Sequence, residues 1–172
     1  MKNWLKLYSS LILFVCFVLV SSSTTSAQQI GLRETLASAI DIIEHHSYAE
    51  IANLEVVSVT ESQQHALKSV DRIAGYPVLG SILKLSTKKS QQMVNLILDS
   101  SNYANIRQRC KNDFFHGIRF SKEHEKIEVA IGIPCNQVLI VFHDAKQIRW
   151  WGGIWGDISI KEALKLLDQQ VP

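Results

Sequence analysis

His116 and Arg119 stand three residues apart in the stretch HGIRF, Asp157 lies further along the chain, and together they offer an imidazole, a fixed cation and a carboxylate. An imidazole that titrates near neutrality beside an arginine suits anion binding or acid–base work. In a strand, however, side chains three apart point to opposite faces. The pair therefore reads first as a turn-edge histidine and a surface arginine. His45-His46, with Glu44 and Glu50 nearby, raises metal binding. Adjacent helical side chains diverge by about 100°, whereas residues three or four apart share an ion. His124-Glu125-Lys126-Ile127-Glu128 lacks the second histidine of a zinc-protease motif. No metal site and no cofactor are expected. Ser81 to Lys84 and Ser86 to Lys89 both fit Ser-x-x-Lys, but its partner motifs Ser-Asp-Asn and Lys-Thr-Gly are absent. Gly75 and Gly80 have phosphate-loop spacing, yet Ser81 stands where the lysine is needed.

Three of the four tryptophans, Trp150, Trp151 and Trp155, fall within QIRWWGGIWGD, residues 147–157. Alternation places Ile148 and Trp150 on one face, and Arg149 and Trp151 on the other. The preceding run, QVLIVFHD, is apolar on both faces in its middle, and a helical pattern follows the tryptophans at once. Trp150 and Trp155 are therefore expected to pack beneath that helix, with Trp151 the exposed aromatic beside Arg149. Tryptophan and arginine are the side chains most enriched at binding hot spots, and an exposed indole also stacks on sugar rings.

Cys110 and Cys135 bracket the first expected hairpin. With its turn near Glu123, position 110 falls opposite position 136, and directly opposed strand residues sit about 5 Å apart, within disulfide reach. In an exported chain such a pair is expected to be oxidised, contributing on the order of 3 kcal/mol. A reactive thiol would need a lowered pKa, and neither a Cys-x-x-Cys motif nor a helix start lies beside either residue.

The segment CKNDFFHGIRFSKEHEKIEVAIGIPCNQVLIVF, residues 110–142, resembles a group of uncharacterised exported bacterial proteins. Their pattern is a cysteine, an aromatic, His-Gly-Ile-Arg, a polar turn, a hydrophobic strand and Cys-Phe-x-Cys. Cys110, His116, Gly117, Ile118, Arg119 and Cys135 match it. The chain departs where Gly132-Ile133-Pro134-Cys135 lacks one cysteine, and at Phe115, where the pattern has a basic residue. The resemblance implies export and a disulfide, and brings no activity with it.

The elements that must position these residues follow from periodicity. Leu32, Leu36, Ala39, Ile40 and Ile43 mark an amphipathic helix from Leu32 to about His45. NLEVVSVTE suggests a short strand, and residues 62–80, punctuated by Gly75, Pro77 and Gly80, a loop or broken helix. Ser86 is an N-cap for a second helix with Met93, Val94, Ile97 and Leu98 on one stripe. The period then changes to two: HGIRFS, KIEVAIGI, QVLIVFHD and QIRWW are separated by short polar turns, which makes an antiparallel meander. Ser159 and Glu162 form a capping box for a terminal helix. The expectation is an α+β domain: N-terminal helices, an antiparallel four-stranded meander and a C-terminal helix packed on the sheet.

The first 27 residues carry Lys2 and Lys6, the apolar run Leu11 to Val20 and the small residues Thr25-Ser26-Ala27. That is the three-part form of a secretory signal cleaved after Ala27, and the run is short of the roughly 20 residues that span a bilayer. Residues 28–172 are expected to form one domain, periplasmic or secreted, with no membrane span after cleavage. The 18 Lys and Arg stand against 16 Asp and Glu; without Lys2 and Lys6 the two are equal. No clustered basic footprint argues for nucleic acid. The functional expectation is an exported, disulfide-stapled, non-catalytic binding module of inhibitor or immunity type, with an extracytoplasmic protein as partner and Arg149, Trp151, His116 and Arg119 as candidate contacts. The alternatives are a small periplasmic hydrolase or acid–base enzyme, and a cell-wall component that binds glycan.

Overall fold

The structure, a computed structural model, describes residues 32–55, 71–104, 110–112, 114–144 and 147–168. The expected leader, 1–27, lies outside them, as does the Val56 to Glu61 part of the first expected strand. A helical turn over 32–35 leads into α1 (Ala37–Glu44). Strands β1 (Tyr48–Leu54), β2 (Arg72–Ile73) and β3 (Tyr76–Lys84) precede α2 (Thr87–Leu98) and a 3-10 turn at Ser100–Asn102. Four long strands follow, β4 (Phe114–Lys122), β5 (Glu125–Ile133), β6 (Gln137–Asp144) and β7 (Gln147–Ile154), and α3 (Asp157–Asp168) closes the described chain.

All strands join one seven-stranded antiparallel sheet in the order β2-β3-β1-β4-β5-β6-β7. The α+β class is as expected, but the four-stranded meander is only the β4 to β7 half. β1 adds to the free side of β4, and the β2–β3 hairpin adds beyond it. A helix follows three strands rather than all helices leading. The missed strands contain the residues that looked like breakers. Ala74 and Gly75, both at positive φ, make the two-residue turn between β2 and β3. Gly80, at φ +76°, sits where β3 carries extra residues against β1, since Ile51 faces Leu83 whereas Asn53 faces Leu79.

The helices cover one face. Register aligns Leu83, Ile51, Ile118, Val129, Ile140 and Trp151 in one row across six strands. Above such rows lie Leu36 at the N-cap of α1 and Ala39 and Ile43 within it, Met93 and Ile97 of α2, and Ala163 and Leu167 of α3, all buried. Ser86 caps α2 by accepting from Lys89 N. The capping box is not formed: α3 starts at Asp157, so Ser159 is inside the helix, where its hydroxyl bonds Asn102 Oδ1 at 2.9 Å.

The second face holds a smaller core of Ala52, Leu54, Ile73, Ala74, Phe115 and Ala130. Here the β2–β3 hairpin folds over the sheet, and Tyr76 stacks on Phe115 with ring centroids 4.5 Å apart. The sheet accepts it because Gly117 has no side chain; a Cβ there would stand 2.9 Å from Leu54 and 3.0 Å from Ile73.

Cys110 and Cys135 lie at disulfide distance, with Cα atoms 5.7 Å apart and a sequence separation of 25. They are not opposed strand residues. Cys110 precedes β4, and Cys135 lies in the β5–β6 turn, where its N–H donates to Asn112 Oδ1 at 3.1 Å. Asn112 also donates to Gln137 Oε1 at 2.9 Å, so side-chain bonds fix the same junction. Loss of the link in Cys110→Ser/Cys135→Ser is expected to cost about 3 kcal/mol, measurable as the shift in urea midpoint against the oxidised parent at equal m-value.

Candidate functional site

β7 is an edge strand. Among the described residues its outer side is met only near Ile154, where Ala104 N–H donates to Ile154 O at 2.7 Å and Tyr103 bridges to Trp155. The faces of the tryptophans are the reverse of the expectation. Trp151 pairs with Ile140, whose side chain points to the helices, so Trp151 turns inward and meets Tyr103 edge-on at 4.9 Å. Trp150 pairs with Val141 on the other face and is 71% exposed, with Ile148 beside it at 67%. Arg149 is exposed and shares the Trp151 side through its pairing with Phe142. Trp155 is buried, as expected. Alternation divides the strand into two faces but cannot say which is inside; that was decided by the register with β6, itself apolar on both sides.

His116 and Arg119 fall on opposite faces of β4, as their spacing predicts. Arg119 is on the hairpin side and only 13% exposed. Its Nε donates to Glu128 Oε1 at 3.0 Å, and its Nη2 to Asp71 Oδ1 at 2.9 Å and to Arg72 O at 2.6 Å. Glu50 is 3.5 Å from Nη1, and Glu128 also accepts from Ala74 N–H at 3.0 Å. The guanidinium thus ties the β2 hairpin to the sheet and is not the surface arginine the sequence suggested. Hydrogen bonding from Arg119 holds the Asp71 carboxyl below its usual range.

His116 lies on the helix face, opposite Asn53 of β1 and Ile131 of β5. It lines a cleft bounded by the irregular part of β3 and the end of α3, to which Asn53, Leu79, Ser81 and Asp168 contribute. Burial lowers the His116 pKa, and the nearby Asp168 charge opposes that shift. Asn53 and Asp168 carried no sequence signal, since they lie far from His116 along the chain and meet it only through sheet pairing and helix docking.

The remaining candidates are structural. His46 donates from Nδ1 to Ile43 O at 2.8 Å, has Nε2 3.0 Å from Ser90 Oγ, and packs edge-on against Phe120. His45 pairs with Asp41, one helical turn back, and Asp157 accepts from Asn136 Nδ2 at 3.1 Å. Among the described residues no three His, Cys, Asp or Glu side chains converge where a metal ion could sit, and no helix is long and apolar enough to cross a membrane. No known family matches the chain, and neither a curated protein nor a solved structure resembles it.

Two predictions follow from this placement. Arg119→Met, which takes the guanidinium from Glu50 and Asp71 and leaves Glu128 with Lys126 and the Ala74 N–H, is expected to cost on the order of 2 kcal/mol at neutral pH. Because the folded-state pKa of Asp71 is depressed, its contribution is full above the ordinary carboxylate value of about 3.9 and is lost as pH falls through the lowered value. The stability gap between parent and variant should therefore narrow below about pH 4, read from urea midpoints across pH. In the second, Trp151→Ala is expected to lose about 2 kcal/mol or more, whereas Trp150→Ala stays within about 0.5 kcal/mol of the parent, both by thermal or urea unfolding.

Proposed function

We propose that this protein is an exported, disulfide-braced binding module that holds an extracytoplasmic protein by taking one of its extended segments along β7. The observation that carries the proposal is the exposure of Trp150 and Ile148, two residues apart on one face of an edge strand. An open edge offers main-chain N–H and C=O groups to an incoming strand, and side chains beside it supply the anchor and the selectivity. A large exposed indole next to an isoleucine marks a contact surface. Proteins that must keep such edges single usually place lysine or proline on them, and QIRWWGGI contains neither. Arg149 adds a cation on the opposite side of the same strand. Export rests on the leader-like first 27 residues and on the cysteine pair.

The reading leaves no bond to be broken: the site supplies contact area, strand pairing and charge. Capture of a partner from an envelope fraction by the immobilised, oxidised protein tests it. Trp150→Ala should weaken retention about 30-fold, in line with a hot-spot loss of about 2 kcal/mol, while unfolding is unchanged. Trp150→Lys, which places a gatekeeper on the edge, should abolish retention. Equal retention by the parent and both variants would sink the proposal; retention of soluble glycan instead of protein would replace it with the wall-binding alternative.

A further inference from the structure

We propose that the cleft over His116 is a second binding site, for a small apolar amine. Two cavities, of about 300 and about 440 Å³, share Asn53, Leu79 and His116 as lining residues and so form two halves of one cleft. The fold builds it by a definite irregularity. Between Leu83 and Leu79, β3 has two more residues than β1 has between Ile51 and Asn53, and the excess bows β3 at Gly80. The end of α3 roofs the opening with Leu164, Leu167 and Asp168. It lies at the β1–β3 side of the sheet, away from the β7 edge.

The lining states what would fit. Most of it is aliphatic or aromatic, with the polar groups Asn53, Ser81 and His116 on the strands, the arrangement of sites that take an apolar body and orient it by a few bonds. Among the described residues, Asp168 is the one carboxylate lining either half, and no lysine or arginine lines them. Asp168 is the last described residue of α3 and is exposed there. That carboxylate favours a cation at the mouth and disfavours carboxylates and phosphates. Burial holds His116 toward its neutral form, so the imidazole adds no opposing positive charge at pH 7.

Calorimetric titration of the full oxidised protein at pH 7 with n-octylamine, 1-octanol and octanoate isolates the head group on one tail. Octylamine should bind, octanol about threefold more weakly, and octanoate not measurably. Asp168→Asn, an exposed change, should bring octylamine down to the octanol level and leave octanol where it was. Leu79→Lys, which sets a cation in both halves, should invert the preference toward octanoate. Trp150→Ala should change none of these affinities, which separates this site from the β7 edge. Octanoate binding the parent as well as octylamine, no binding by any of the three, or indifference of octylamine to Asp168→Asn would each overturn the proposal.

Discussion

A seven-stranded sheet has two faces to bury, and the three described helices are all committed to one of them. The other face depends on a two-residue strand and its hairpin, which is too small to hold itself against the sheet by apolar contact alone. Besides the β1–β3 pairing and the Ala74–Glu128 bond, one guanidinium secures it. Arg119 reaches from the middle of β4 to a carboxylate on the next strand, to Asp71 at the entry of the hairpin and to the hairpin backbone. The sheet in turn keeps its central row small at Ala52, Gly117 and Ala130, so that Ile73 can lie against it. A charged cluster is an expensive way to close a core. Here it substitutes for a fourth helix.

The hairpin does not extend to the far side of the sheet. Toward β6 and β7 the same face carries Leu139, Val141 and then Trp150, and exposure rises along that line to the edge. The proposed partner strand and the hairpin are thus two answers to one shortage of cover, the first supplied from outside and the second from within the chain. The His116 cleft arises on the opposite face at the opposite end, because a β3 long enough to turn its hairpin back over the sheet cannot stay in step with β1.

The half of the fold built from β4 to β7 was legible because each of its strands is a long alternating run joined to the next by a few polar residues. α1 and α2 were equally clear, down to the Ser86 cap. The β2–β3 hairpin was not, since Gly75, Pro77 and Gly80 read as breakers of a helix, whereas in the fold they turn, border and bow two strands. Ala-Gly is a weaker hairpin signal than Asn-Gly, though the same left-handed geometry is needed. At the candidate sites, spacing separated His116 from Arg119 and Trp150 from Trp151, but the inside and outside of a strand depend on its neighbours. Val138, Ile140 and Phe142 alternate with Leu139 and Val141 on β6, so nothing local distinguishes the helix side. The Arg119 cluster was beyond reach for a related reason: Glu50, Asp71 and Glu128 come from three separated segments.

The place of β1 governs when this molecule can become a protein at all. β1 lies between β3 and β4, with Tyr48 paired to Ser121 and Ala49 to Phe120. During synthesis from the N-terminus, its β4 partner does not exist until well over half of the chain has emerged. α1 must wait as well, since its buried stripe rests on β4, β5 and β6. Closing such distant pairings is slow. The β1–β3 and β2–β3 pairings lie within the first hundred residues, but the inner side of β1 and the bed of α1 are completed only by strands that come later in the chain.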